Sequence, residues 1–191
     1  MKAELRKQLH ASRNALPPAD RERFSESITR SVLALDDYRR ARAVMAYMTF
    51  GSEFMTQRFV HHVLCEGKML VLPRIRRADN SLELYQVRDF DTDLAAGPWG
   101  IREPRPDVCN AVELSGIDFV LVPGLGFNVE GDRLGYGRGY YDRLLADRDP
   151  RTALVAAAFS VQLVDDVPIG EHDIPVDLVI TERSIHRRVA H

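Results

Sequence analysis

Residues 119–142 read Phe-Val-Leu-Val-Pro-Gly-Leu-Gly-Phe-Asn-Val-Glu-Gly-Asp-Arg-Leu-Gly-Tyr-Gly-Arg-Gly-Tyr-Tyr-Asp, with six of the chain's twelve glycines between positions 124 and 139. The stretch opens as a buried strand and ends in glycines that alternate with aromatic and cationic residues: Gly135, Tyr136, Gly137, Arg138, Gly139 and Tyr140. Glycine lets backbone N–H groups approach a ligand closely, so this cluster is typical of a site for an anion such as a nucleotide phosphate. A flexible glycine-rich loop is the alternative, although linkers of that kind favour serine and avoid aromatic residues.

Helical and strand patterns alternate on both sides of this segment. We predict helices over residues 3–16, from Pro18, from a cap at Thr56 to Gly67, from Tyr140 to 146, and near 160–165. Apolar runs predict strands over 43–48, 69–72 before Pro73, 119–122, 152–159 and 178–181. Residues 82–87 predict an antiparallel or edge strand, and 88–115 a long irregular stretch.

This alternation predicts an α/β fold: a single three-layer domain over residues 1–191, with a largely parallel sheet flanked by helices on both faces. A chain of this length buries about 70% of its unfolded surface. Ligands of such sheets bind beyond the carboxyl ends of the strands, where we expect the loops 49–56, 74–81, 123–139 and 160–176.

Composition narrows the class of partner. The net charge of −2 argues against nucleic acid or an anionic membrane as the main partner.

Cys65 and Cys109 lack the spacing of a zinc site or a disulfide framework. The charged first residues are unlike a signal peptide, and no apolar run reaches the length of a membrane span, so we expect a cytoplasmic protein. The oligomeric state stays open.

Several residues have the chemistry of a phosphate site, each with an ordinary alternative. The segment lacks the Lys-Ser/Thr ending of a Walker motif, and G-x-G-x-x-G does not occur in a strand–turn–helix setting. No nucleophile elbow occurs either. Arg133 and Arg138 suit phosphate oxygens, whereas Asp142 suits either Mg²⁺ or the start of a helix. Lys2 and Arg6 share a helix face, although such a pair is more often a solvated surface.

The string from Pro123 to Asp142 resembles the signature of the 5-formyltetrahydrofolate cyclo-ligase family. Shorter matches follow in the same order along nearly the whole chain: Lys-x-x-x-Arg at 2–6, Glu-x-x-Thr at 53–56, Trp-Gly-Ile at 99–101, Glu-His-Asp at 171–173 and Val-Asp at 176–177. The resemblance implies an ATP- and Mg²⁺-dependent enzyme that converts the small molecule 5-formyltetrahydrofolate to 5,10-methenyltetrahydrofolate and releases ADP and phosphate.

The resemblance also implies roles for individual residues. ATP would be held by Lys2, Arg6, Arg133, Leu134, Gly135, Tyr136, Gly137, Arg138, Gly139, Tyr140 and Tyr141. Mg²⁺ would be held by Asp142 and Asp173, and the folate by Met48, Glu53, Trp99 and Tyr140. Arg133 and Arg138 would be catalytic, although lysine or glycine is more usual in the family at position 138. From the residues alone, Glu53 is more often a loop charge, and Trp99 is either a packing anchor or a wall for an aromatic ligand.

Two other functions remain open on this sequence. One is a catalytically silent module that binds folate or nucleotide, because a fold need not fix a function. The other is a different ATP-dependent kinase or ligase on the same scaffold.

Overall fold

The computed structural model describes residues 1–97 and 100–189. Its strands in chain order are β1 Ala43–Met45, β2 Met69–Arg76, β3 Ser81–Val87, β4 Leu94–Ala96, β5 Arg102–Pro104, β6 Phe119–Leu121, β7 Gly126–Phe127, β8 Arg133–Leu134, β9 Ala153–Ala157, β10 Leu178–Ile180 and β11 Ile185–Arg187. Seven of them form the central sheet in the order β11-β10-β9-β6-β1-β2-β3. The four inner pairings are parallel, and β3 and β11 are antiparallel edges.

The helices are α1 Lys2–Asn14, α2 Pro18–Ala34, α3 Asp36–Arg40, α4 Gln57–Cys65, α5 Phe90–Asp93 and α6 Tyr140–Leu145. Consecutive residues of a strand face opposite sides of the sheet, so Val44 packs with α2, α3 and α4, whereas Met45 packs with Leu145 of α6 on the other side. Apolar side chains therefore fill a core on each face of the sheet. The predicted fold class is confirmed.

α1 lies outside these two core clusters. Leu9 packs with Leu134 and Val167 in a small cluster of its own, which partly buried Leu5 and Val164 extend. No helix in the described part of the chain is long and apolar enough to cross a membrane.

The prediction that Pro73 ends the second strand is wrong. β2 continues to Arg76, and Pro73 pairs with Leu84 of β3. The last pair between β1 and β2 is Met45 with Val71. Beyond that pair, β3 is the one strand among the described residues that pairs with β2, and a strand with a free side tolerates proline's missing N–H group. The region 74–81 is accordingly the arm and turn of a hairpin instead of a free loop.

Two further predictions need correction. The helix near 160–165 is only a 3₁₀ turn over Ser160–Gln162, because Leu163 bridges to Phe127 and the Val164 N–H group donates to the Phe127 carbonyl. The stretch 88–115 is more regular than predicted, since it contains α5 and the β4–β5 hairpin. The Asp93 carboxylate fixes the chain just before α5, because it accepts hydrogen bonds from the backbone N–H groups of Arg88 and Asp89. Elements of three or four residues are too short to produce a periodic pattern.

Candidate active site

A cleft of about 550 Å³ opens beyond the carboxyl ends of the parallel strands. Tyr47 and Met48 follow β1, and Pro123 follows β6, which places all three at this edge of the sheet. The cleft is lined by all the predicted site residues that the structure describes: Lys2, Arg6, Met48, Glu53, residues 133–141, Asp142 and Asp173. Trp99 lies outside the described residues. Separated parts of the chain therefore meet at one site of the size typical for small ligands.

Cations and carboxylates alternate at one end of the cleft. The Lys2 ammonium lies 2.6 Å from Oδ2 of Asp173, and the Gly170 N–H group donates to the same oxygen at 2.7 Å. Arg133, with 4% of its side chain exposed, forms an ion pair with Oδ1 of Asp142. That oxygen also accepts a hydrogen bond from the Ile174 N–H group at 3.1 Å. Burial opposes ionisation of Asp173, but the hydrogen bonds from Lys2 and Gly170 outweigh it and lower the pKa of its carboxyl.

The glycine segment, residues 124–139, has two structural roles in the molecule. A Cβ atom at Gly131, where φ is +87°, would lie 2.2 Å from the Val176 carbonyl oxygen, so this glycine serves packing. Gly137, with φ at +93°, lines the cleft beside the Arg6 guanidinium. Arg6 Nε in turn donates to the Gly135 carbonyl at 2.8 Å. Gly131 therefore does not belong to a ligand-binding backbone, and ligand binding by the cleft-lining glycines stays a prediction.

Arg138 and Tyr140 lie at the accessible side of the cleft. Arg138 is exposed, and within the described residues its side chain makes no ion pair or hydrogen bond with the protein. The Tyr140 hydroxyl lies 3.5 Å from Oδ1 of Asn80, and the Arg143 guanidinium lies 5.7 Å from the centre of the Tyr140 ring. Arg138 thus differs from Arg133, which the protein already holds in place.

Glu53 occupies the other end of the cleft and is 7% exposed. One carboxylate oxygen accepts the Phe50 N–H group at 2.9 Å, and the other accepts a short hydrogen bond from the Tyr136 hydroxyl. Desolvation raises the pKa of Glu53, while these two hydrogen bonds and the nearby Arg13 charge act to lower it. The Glu53 carboxyl group is therefore shielded from solvent and held in a fixed orientation by hydrogen bonds.

Sequence reasoning missed several residues of this region, among them Tyr47, Arg13 and the cleft-lining residues Phe50, Pro73, Ile75, Leu82, Ile101, Arg102, Glu103 and Pro123. Tyr47 is buried among Glu53, Tyr136 and Tyr141, and its burial raises the pKa of its hydroxyl. Arg13 is 2% exposed and donates to the Tyr136 hydroxyl at 2.8 Å. A signal for Arg13 exists, because Lys2, Arg6, Leu9 and Arg13 recur at helical spacing on one face of α1. No comparable signal marks Tyr47.

These features define an α/β protein with a ligand cleft at the carboxyl edge of its sheet. A family model described as the 5-formyltetrahydrofolate cyclo-ligase family matches residues 1–182. The chain belongs to that family.

Relatives and solved structures agree with this membership. The 5-formyltetrahydrofolate cyclo-ligase of Mus musculus is 30% identical over 96% of this chain and 93% of its own length. The corresponding protein of Mycolicibacterium smegmatis is 31% identical over 95% and 94%. The NMR structure of Aquifex aeolicus 5,10-methenyltetrahydrofolate synthetase superposes with a TM-score of 0.87 at 34% identity, covering 100% of this chain and 94% of that one.

Proposed function

We propose that this protein converts 5-formyltetrahydrofolate to 5,10-methenyltetrahydrofolate with hydrolysis of ATP, acting as one domain over residues 1–191. Family membership supports the folate reaction. The convergence of Lys2, Arg6, Glu53, residues 133–142 and Asp173 on one cleft carries the proposal, because these parts are far apart in the chain. Both cysteines are free thiols, which suits the reducing cytoplasm that we propose as its location.

The reaction requires activation of a poor leaving group. The formyl oxygen on N5 is amide-like, so attack by N10 of the folate on the formyl carbon stalls. Transfer of the γ-phosphoryl group of ATP to that oxygen would release ADP and give an iminium phosphate. N10 would then attack the formyl carbon and lose its proton, and the C–O bond would break so that the oxygen leaves with phosphate. Phosphoryl transfer depends on positioning and charge neutralisation, which agrees with the absence of a nucleophile elbow in the sequence.

Lys2, Arg6 and Arg133, at the end of the cleft that also holds Asp142 and Asp173, can supply this charge neutralisation. We propose that Lys2, Arg6 and the backbone of residues 134–141 hold the phosphates of ATP. The buried Arg133 guanidinium is held by Asp142, so it meets the transferred group without reorganisation. The accessible Arg138 closes on the phosphate from the other side.

The chemistry of the donor set fits Mg²⁺. The ion is usually held by one or two carboxylates together with phosphate oxygens and water. Asp142 and Asp173 supply two carboxylates at one end of the cleft. Asp142 pairs with Arg133 through Oδ1, and Asp173 pairs with Lys2 through Oδ2. The described residues contain no cluster of three protein ligands. We propose that these two aspartates hold Mg²⁺, which would neutralise charge on the nucleotide.

The folate would lie at the Glu53 end of the cleft. Pterin N–H groups are donors, and Glu53 has lone pairs left after its bonds from Phe50 and Tyr136. Met48 and the Tyr140 ring line the same cleft and offer apolar contact to a flat ring. Trp99 remains a predicted folate contact.

The experiment is an absorbance assay in the near ultraviolet for the methenyl product. We expect the signal to rise only when ATP, Mg²⁺ and 5-formyltetrahydrofolate are all present. Folded protein that gives no rise contradicts the proposal. Ligand-induced thermal stabilisation without product would instead indicate a silent binding module, and ATP consumption with other small acceptors would indicate a different kinase or ligase.

A further inference from the structure

Arg13 is a buried cation that the proposed binding of ATP does not explain. It lies in the last turn of α1 and is 2% exposed, although arginine is rarely buried without a partner. Among the described residues no carboxylate lies within ion-pair distance of Arg13. Its hydrogen bonds go to hydroxyl groups: Nε donates to Ser52 Oγ at 3.0 Å, and Nη1 donates to the Tyr136 hydroxyl at 2.8 Å.

These bonds determine where the Tyr136 proton points. A guanidinium can only donate, so the Tyr136 oxygen must accept from Arg13. The single phenolic proton is therefore left for Glu53, with which Tyr136 makes its short hydrogen bond. Ser52 precedes Glu53 in the same loop and donates its own proton to Asn14, the neighbour of Arg13. Arg13 thus ties α1 to the Tyr136 hydroxyl, which bonds the carboxylate, and to Ser52, the residue before Glu53.

We propose that Arg13 is a positioning residue for folate recognition, which orients the Glu53 carboxylate through the Tyr136 hydroxyl and Ser52. The inference rests on the proposed function, in which Glu53 accepts hydrogen bonds from the pterin. Arg13 itself does not line the cleft. Its action is therefore indirect and differs from that of Lys2 and Arg6 on the same helix.

The charges around Glu53 give this role a pH signature. Among the described residues, four groups face the carboxylate: Arg13 from α1, Tyr47 after β1, Tyr136 from the glycine segment and Tyr141 from α6. Desolvation raises the pKa of Glu53, and the Tyr136 hydrogen bond and the Arg13 charge both oppose that rise. Loss of either group raises the pKa further. Glu53 then stays protonated to higher pH and accepts fewer hydrogen bonds from a ligand.

The test compares Arg13→Met, Arg13→Lys, Tyr136→Phe and the double variant Arg13→Met/Tyr136→Phe, with Arg30→Met as the control. Arg30 lies on α2 with 68% of its side chain exposed. We expect Arg13→Met to raise the KM for folate about tenfold or more, as loss of bonds to a charged group does. The KM for ATP should stay within about twofold, and the acid limb of kcat/KM should move to higher pH.

The variants also test the coupling. Tyr136→Phe should act in the same direction, and the double variant should lose less than the product of the single losses. Arg13→Lys keeps the charge and should restore part of the folate KM. Equal rises in both KM values would show that Arg13 merely supports α1, and an unchanged folate KM would equally overturn the proposal.

The design separates this inference from the proposed function. If the wild type makes no product, calorimetric binding of 5-formyltetrahydrofolate to the same variants decides the role of Arg13. Should Arg13→Met fail to fold, Tyr136→Phe decides it, since 43% of Tyr136 is exposed and its ring is retained.

Discussion

Arg133 and Arg138 place the same guanidinium group in two different environments. Arg133 is buried and paired with Asp142, and its Nε atom is buried without an acceptor among the described residues. Arg138 is exposed and held by no side chain in that part of the structure. The first is fixed before any ligand arrives, and the second must be ordered by the ligand. Replacing either arginine should therefore lower kcat to a similar extent, whereas only replacement of Arg133 should lower the stability of the fold.

We predict that Arg133→Ala lowers kcat at least about tenfold, which corresponds to about 1.4 kcal/mol of the barrier. It should also lower the free energy of unfolding by on the order of 1–3 kcal/mol, because Asp142 loses its counter-charge. Arg138→Ala should reduce kcat similarly while changing stability by less than about 0.5 kcal/mol. Steady-state kinetics and urea unfolding measure the two effects. Near-normal turnover in Arg133→Ala would remove Arg133 from the site.

At the scale of elements, the glycine segment shows that residues of one sequence pattern can serve different structural purposes. Its density and position predicted a ligand-binding backbone, and Gly137 does line the cleft. The need for glycine at 131, however, comes from the Val176 carbonyl, which lies far along the chain. Likewise, the partner of Leu163–Val164 is β7, which displaced the predicted helix. Local patterns indicated the inner strands, and contacts between distant residues decided the rest.

Gly131 provides the prediction at this scale. Gly131→Ala forces a side chain into a left-handed conformation and against backbone, so we expect a loss of about 1–3 kcal/mol in unfolding free energy. Gly116→Ala is the control, since a Cβ atom there meets no atom within 4 Å. Thermal and urea unfolding report the difference. Equal stabilities for the two variants would refute the packing role of Gly131.

At the scale of the molecule, the ordered motifs of the sequence predicted much of the lining of the cleft but not its apolar wall, which includes Pro73, Ile75 and Leu82 of the β2–β3 hairpin. The roles of Arg13 and Tyr47 could not be predicted from the sequence. A buried arginine is stable only through partners such as Ser52 and Tyr136, and neither is near it in the sequence. Tyr47 lies in an apolar run that fits any core strand, and only the surrounding Glu53, Tyr136 and Tyr141 distinguish it.

The attachment of α1 provides a prediction for the whole fold. In the part of the chain that the structure describes, α1 is joined to the remainder by a small apolar cluster and by polar contacts that include those of Lys2 and Arg6. A nucleotide bound by both cations should suppress local opening of α1, and ligand at about 100 times its Kd stabilises by about 2.7 kcal/mol. Hydrogen exchange of α1 amides should therefore slow with Mg²⁺ and ATP.

The buried amides of α2 around Ile28 and Val32 are the internal reference, because that helix packs on the main core. They should change much less than the α1 amides. Exchange in α1 that is unaffected by saturating nucleotide would contradict the placement of ATP.

The pair between Lys2 and Asp173 joins residues separated by 171 positions. A nascent chain that has emerged from the ribosome only to the end of β9 already has Arg6 and the glycine segment, but it lacks the acidic partner of the Lys2 ammonium. Such an unfinished chain cannot form the Lys2–Asp173 pair, so this end of the cleft takes its final shape only after residue 173 has been made.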